Sequence, residues 1–144
     1  MTYIDLINNV LRRLREDTVD TANGTDYSAL IGDLVNDAKK IVENSFDWTA
    51  LRDSITLTTT SGTSEYSLTG SGDQAVVKDV MNTTGQKFMS LRSKSYFNNV
   101  YYNTAVVAGS PDYYTFIGKD TSGDLKVKLY PQPNDSYNLR FDVI

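Results

Sequence analysis

The first apolar positions of the chain recur at the spacing of one helix face. They predict a helix from about Tyr3 to Arg15, with Thr2 as its N-cap. Asp5 follows this cap closely enough to complete a pattern near that of a capping box. A polar connector from Glu16 to Thr25 comes next. The apolar face of this helix consists of Tyr3, Leu6, Ile7, Val10, Leu11 and Leu14.

A longer run of the same periodicity predicts a second helix, for which Asp26 is the candidate N-cap. Two amphipathic helices joined by a short connector indicate an antiparallel hairpin. Phe46 and Trp48 close this region, and burying both rings would contribute roughly a few kcal/mol. The apolar face of the second helix consists of Tyr27, Leu30, Ile31, Leu34, Val35, Ala38, Ile41 and Val42.

Beyond Trp48 the apolar positions alternate, which is typical of half-buried strands. Turn residues predict two hairpins, one between the first and second strands and one between the third and fourth. Ser93 is the candidate N-cap of a short helix that interrupts the strands and ends near Tyr101. Pro131 and Pro133 end the next-to-last strand, because proline cannot donate to a strand ladder. The predicted strands cover residues 54–59, 65–68, 74–82, 87–91, 113–117, 125–130 and 137–143.

The order of these elements predicts an α+β fold. We expect an N-terminal antiparallel helical hairpin packed on a mostly antiparallel β-sheet region with one short inserted helix. The length of 144 residues fits a single domain, with the hairpin in residues 1–48 and the β-rich part in residues 49–144. The last strand runs to Ile144, so we expect it to pair at a sheet edge or subunit junction, or the chain to continue beyond it.

The composition removes most catalytic chemistry. The chain has no cysteine and no histidine, which excludes disulfides, thiolate nucleophiles and zinc sites built on those residues. The glycine-rich stretch 69–73 lacks the third glycine and the flanking elements of a dinucleotide site. The stretch 120–124 approaches a calcium loop but lacks the rest of the ligand set. We therefore expect a protein that is not an enzyme and that uses no cofactor or metal.

The charge and the hydropathy limit the partners further. The net charge is −4, whereas proteins that grip DNA usually carry a basic face. No apolar run approaches the ~20 residues of a membrane-spanning helix. The N-terminus lacks a basic segment followed by an apolar run, so we expect neither a secretory signal nor a membrane partner.

Two groups of residues are candidates for contacts with a partner. The arginines near the end of the first helix form either a solvated helix face that ends in the compensating acids Glu16 and Asp17, or a contact with the acidic surface of a partner. Exposed tyrosines are enriched at interfaces, but aromatic residues are also favoured in strands for their packing. The candidate interface residues are Arg12, Arg13, Arg15, Tyr101, Tyr102, Tyr113, Tyr114 and Tyr130.

Four short stretches, taken in their order along the chain, resemble one known family. They are Phe46-Asp-Trp48, Ile55-Thr-Leu57, Tyr66-Ser-Leu68 and Leu129-Tyr-Pro-Gln-Pro133. A helical hairpin, a first pair of strands and a Pro-x-Pro turn before the last strand look like the head-to-tail adaptors of podoviruses. These proteins of tailed bacteriophages are also called tail tubular or connector proteins. The resemblance spans nearly the whole chain.

This resemblance implies a structural protein of the virion, located at the head–tail junction after assembly in the host cytoplasm. In that family the protein forms a twelve-fold ring around the DNA channel. The implied partners are the portal protein, the tail nozzle protein and further copies of the chain itself. Genome DNA would pass through without specific binding, since an acidic wall repels its phosphates.

A carbohydrate-binding or tail-fibre accessory module is the alternative function. Aromatic rings on a tyrosine-rich sheet can stack on sugars, and Tyr113 and Tyr114 are the residues that would do so here. This alternative predicts saturable glycan binding by the isolated chain. The adaptor hypothesis predicts instead a cyclic oligomer, alone or on a portal.

Overall fold

The computed structural model describes residues 1–72 and 74–144 of the chain. Its contacts divide these residues into two compact units, Met1–Trp48 and Thr49–Ile144. The first unit is a helical hairpin and the second is built mainly of antiparallel sheets, which confirms the predicted α+β class. The packing of the hairpin on the sheets stays a prediction.

The first helix, α1, runs from Tyr3 to Arg13 and ends two residues before the predicted boundary. Its capping box is confirmed, because the Thr2 backbone N–H donates to Asp5 Oδ2 at 2.7 Å and the Thr2 hydroxyl accepts from the Asp5 backbone. The hydrogen bond from the Thr2 backbone lowers the pKa of Asp5. Arg15 lies beyond the helix with a φ of 62°.

The second helix, α2, runs from Asp26 to Ser45, and its N-cap is Thr25 rather than the predicted Asp26. Thr25 keeps an extended backbone, so its hydroxyl accepts from the Ser28 backbone N–H at 3.0 Å, whereas Asp26 is already helical. The fully buried Ser28 hydroxyl accepts in turn from the Thr25 N–H, at 2.9 Å. It also lies 3.0 Å from the carbonyl oxygen of Ala22, which ties the connector to the helix.

A small core joins the two helices. Ile7 and Leu11 of α1 are buried against Ile31 of α2. The helices approach closely at Gly32, where an added Cβ would lie 2.7 Å from the Tyr3 hydroxyl. The residues packed around this core are Val10, Val19, Ala22 and Val35.

In the described part of the second unit there are ten short strands, a 3₁₀ turn at Thr49–Leu51 and one inserted helical segment. In chain order the strands are β1 Asp53–Thr58, β2 Glu65–Ser67, β3 Val77–Asn82, β4 Lys87–Phe88, β5 Ser90–Leu91, β6 Ala108–Gly109, β7 Tyr113–Lys119, β8 Leu125–Tyr130, β9 Gln132–Pro133 and β10 Asn138–Val143.

These strands form two four-stranded sheets and one two-stranded ribbon. The strand orders are β1-β10-β3-β4 in the first sheet, β2-β8-β7-β5 in the second and β6-β9 in the ribbon. The pairs β5–β7 and β6–β9 are parallel, and the other described pairs are antiparallel. The predicted predominance of antiparallel pairing is therefore confirmed.

The predicted hairpin between the first two strands is wrong. β1 pairs with β10, in a register that places Ile55 opposite Phe141, whereas β2 pairs with β8. The intervening turn carries the chain from one sheet to the other. The Tyr66 hydroxyl stabilises this turn, since it accepts from the Thr60 N–H at 3.0 Å and lies 2.7 Å from the Thr63 carbonyl oxygen.

Two other strand predictions are corrected in part. β3 and β4 form the predicted hairpin, but Ser90 and Leu91 belong to the second sheet. The last strand, β10, lies between β1 and β3 instead of at a sheet edge. Its alternating residues are buried because the core lies on one of its faces.

The core of this unit lies between the two four-stranded sheets. Tyr114 of β7 contacts Phe141 of β10 across it, with ring centroids 6.3 Å apart. The sheets thus form a sandwich in which apolar positions of both inner faces interlock. The buried core residues are Leu68, Val80, Met89, Tyr114, Val127, Leu129, Leu139, Phe141 and Val143.

The Ser28 hydroxyl is the side-chain group on which the start of α2 most depends. Ser28→Ala should lower the free energy of unfolding by about 1 to 2 kcal/mol, because it leaves the Thr25 N–H and the Ala22 carbonyl without this partner. Chemical denaturation followed by far-UV circular dichroism measures the change. Ser45→Ala on the same helix is the control, since Ser45 is exposed and should shift stability by less than about 0.5 kcal/mol. Equal effects of the two variants would contradict this role of Ser28.

Candidate assembly surfaces

An aromatic cluster covers the outer face of the second sheet. The predicted short helix, α3, is confirmed at Lys94–Asn98 with Ser93 as its N-cap, and a π-helix at Asn99–Asn103 continues it. Tyr130 of β8 is the centre of the cluster, with three neighbouring rings at centroid distances of 5.8 to 6.4 Å. The rings of the cluster belong to Tyr96, Phe97, Tyr101, Tyr113 and Tyr130.

Two cations lie over the rings of this cluster. The Arg92 guanidinium lies 4.9 Å from the ring centroid of Tyr113, and the Lys128 ammonium lies 4.5 Å from that of Tyr101. Lys128 also pairs with Glu65 at 2.9 Å, and this hydrogen bond lowers the pKa of Glu65. The sequence pattern did not predict these cation–π contacts, because each cation is far along the chain from the ring that it covers.

The Tyr101 hydroxyl is an internal group of the cluster. It donates a hydrogen bond to the carbonyl oxygen of Leu129 on β8, and this bond links the π-helix to the second sheet. Burial raises the pKa of Tyr101 to about 12, because the phenolate would lose contact with water.

The predicted tyrosines therefore differ in their surroundings. Tyr114 is 6% exposed and belongs to the sandwich core, so the expectation of an exposed surface there is wrong. Tyr101, Tyr113 and Tyr130 are half-buried in the aromatic cluster. Tyr102 is 76% exposed and is free to contact a partner. The carbohydrate alternative thus lacks its exposed pair, because Tyr114 is buried and Arg92 covers Tyr113.

Of the predicted arginines, Arg12 and Arg13 lie in the last turn of α1, and Arg15 lies just beyond the helix. Arg12, Arg13 and Arg15 are exposed, and within the described part of the chain none of them forms an ion pair. Positive charges at the C-terminus of a helix interact favourably with the negative end of the helix dipole, so these arginines stabilise α1 without any partner. Leu14, between them, is also exposed.

The apolar face of α2 is divided between two surroundings, which the sequence did not predict. Ile31 and Val35 contact α1, whereas Leu30, Leu34 and Ile41 are 53%, 56% and 71% exposed. The predicted face covers an arc of about 140° at ~100° per residue, and a single neighbouring helix does not cover so wide an arc. We call Leu30, Leu34 and Ile41 the α2 stripe.

An apolar groove runs between α1 and α2 on one side of the hairpin. Its cavity volume is about 700 Å³. Its apolar lining comes mainly from Leu6 and Val10 of α1 and from Val35, Ala38 and Val42 of α2. Only three apolar residues of the described hairpin are buried in its core, while many others remain exposed. An exposed apolar surface of this kind is typical of a site that docks against another protein.

Phe46 and Trp48 extend this apolar surface. Their rings meet edge to face with centroids 5.4 Å apart, and the Trp48 indole N–H donates to the Val42 carbonyl oxygen at 2.9 Å. Both rings are nevertheless exposed, so the stabilisation expected from their burial is not realised within this chain.

The described residues offer little support for other kinds of site. Among residues 1–72 and 74–144, no three acidic side chains lie close enough together to hold a metal ion. In the same part of the chain, no helix is both long and apolar enough to span a membrane.

The burial of the Tyr101 hydroxyl makes the stability of the protein depend on alkaline pH. The pKa of Tyr101 is higher in the folded protein than in the unfolded chain, so deprotonation favours unfolding as the pH rises from about 10 towards about 12. Tyr101→Phe should lower the free energy of unfolding by about 1 kcal/mol at neutral pH and reduce its alkaline decline. Denaturation at a series of pH values, with Tyr102→Phe as the exposed control, measures both effects. An unchanged alkaline decline in Tyr101→Phe would contradict this assignment.

Comparison with known families agrees with the earlier resemblance. The model of the family described as SU10 adaptor protein matches residues 1–144. A search of curated proteins finds no match to the chain. The family match covers both compact units, the helical hairpin and the β-sandwich. The chain therefore belongs to the SU10 adaptor protein family, a family of phage head-to-tail adaptors.

Proposed function

We propose that this protein is a structural adaptor that forms a ring joining the portal protein to the tail nozzle around the DNA channel. The observation that carries this proposal is the match of the adaptor family to residues 1–144. We further propose that the two units act together as one adaptor domain, without catalysis, and that assembly takes place in the host cytoplasm before the ring becomes part of the virion.

The exposed apolar surface of the hairpin supports a role in assembly. A ring of identical subunits needs two different complementary patches on each copy, because its contacts are heterologous. The hairpin offers the α2 stripe on one side and, on another, the groove between its helices, which Arg13 at the end of α1 also lines. In the second unit, Tyr102, Phe88 and Leu91 are exposed and are available to portal or tail proteins.

The charge of the chain supports passage of DNA without specific binding. The net charge is −4, and the arginine group at the end of α1 is too small to neutralise many phosphates. Repulsion between an acidic wall and the genome would leave DNA free to slide through the ring. Under this proposal the arginines serve protein contacts rather than contacts with DNA.

The adaptor function predicts a change in mass on mixing with the portal. The purified protein alone should be monomeric, and addition of the portal from the same phage should yield a complex with about twelve copies per portal ring. Native mass spectrometry measures this stoichiometry. A portal from an unrelated phage is the control and should bind far fewer copies. A protein that leaves the portal of its own phage unoccupied would contradict the adaptor function.

A further inference from the structure

The α2 stripe has an acidic border. At ~100° per residue, Asp33 and Asp37 fall beside Leu30 and Leu34 on the side of the helix away from the groove. Within the described residues, neither aspartate forms an ion pair. The surface is therefore an exposed apolar centre with two aspartates along one edge, and Lys40 lies on the same side of the helix beyond them.

The end of α1 places an exposed apolar residue among basic side chains, and the acidic Glu16 and Asp17 follow in the chain. Leu14 is 49% exposed, and Arg12, Arg13 and Arg15 surround it in the sequence. These arginines lack ion pairs within the described part of the chain. An apolar centre with a charged border is the usual composition of a protein interface.

We propose that these two surfaces bind each other between neighbouring copies, so that the arginine end of α1 in one copy docks on the α2 stripe of the next. This inference rests on the proposed ring and identifies the contact that closes it. Leu14 would pack against Leu34 and Ile41, while Arg13 and Arg15 would face Asp33 and Asp37.

Charge complementarity selects a second copy as the occupant. The chain itself supplies both a surface bordered by aspartates and a surface bordered by arginines. Neither forms an ion pair within the described residues, although the charge of Arg12 acts on Asp5. The two surfaces also differ from each other, so their contact is head-to-tail, as a ring requires. A portal contact at the same surfaces would need neither of these properties.

Charge exchange between two variants tests the contact. One variant carries Asp33→Lys and Asp37→Lys, and the other carries Arg13→Glu and Arg15→Glu. In either variant alone, the two surfaces of every copy have the same sign and repel each other. In an equal mixture, each surface meets one of opposite sign on the other variant, and an even-numbered ring closes with alternating copies.

The expected readout is the number of copies on the portal, measured by native mass spectrometry. Each variant alone should leave roughly fivefold fewer copies than the wild type, and the mixture should restore the wild-type number. Asp79→Lys with Asp135→Lys is the control matched to the Asp33/Asp37 variant, because it changes the net charge by the same amount at exposed positions of the second unit. This control should fill the portal as the wild type does.

A third variant keeps the test decisive if a charge-reversed hairpin fails to fold. Leu34→Lys alters an exposed side chain, so α2 should remain intact while the apolar centre of the contact is lost. It should reduce the copies on the portal to the same extent. Full occupancy by Leu34→Lys, or by either charge variant alone, would overturn this contact, and so would a mixture of folded variants that leaves the portal empty. A wild-type protein that ignores the portal would instead overturn the adaptor function.

Discussion

Two packed helices bury only one face of each, and this constraint shapes the first unit of the protein. The apolar residues of α2 cover a wider arc than α1 can bury, so Ile31 is in the core while Leu34 and Ile41 remain exposed. A hairpin with so small a core is stabilised further by any protein surface that covers the remaining face. Exposed apolar residues are therefore the property that links this fold to assembly.

In the second unit, by contrast, most of the aromatic residues named above pack against other residues of the same unit. The sandwich encloses Tyr114 and Phe141, and the π-helix places Tyr101 against the outer face of the second sheet. Arg92 and Lys128 cover the neighbouring rings, so the cluster needs no further partner to be stable. A β-unit with an internally packed aromatic cluster, in the same chain as a hairpin with an incompletely buried surface, fits a component that assembles on a template.

Local signals in the sequence predicted the elements well, and non-local pairing was harder. The capping box at Thr2, the helical cap at Ser93 and the alternation in β8 depend on residues close in the chain. The supposed hairpin of β1 and β2 failed because a short polar turn can equally cross between two sheets. The alternation of apolar and polar residues in β7 and β8 also did not predict that the inserted helical segment would cover Tyr113 and Tyr130 on the outer face of the sheet. The family match confirms the adaptor family, which the residues alone gave only as a resemblance.

The most direct test is a cryo-electron microscopy reconstruction of the head–tail junction in the intact virion. The adaptor function predicts a closed ring of this chain between the portal and the tail nozzle, surrounding the DNA. In that ring Leu34 and Ile41 should be buried against the α1 end of the neighbouring copy. A junction that lacks this chain would contradict the adaptor function, and a ring in which the α2 stripe faces solvent would contradict the proposed contact.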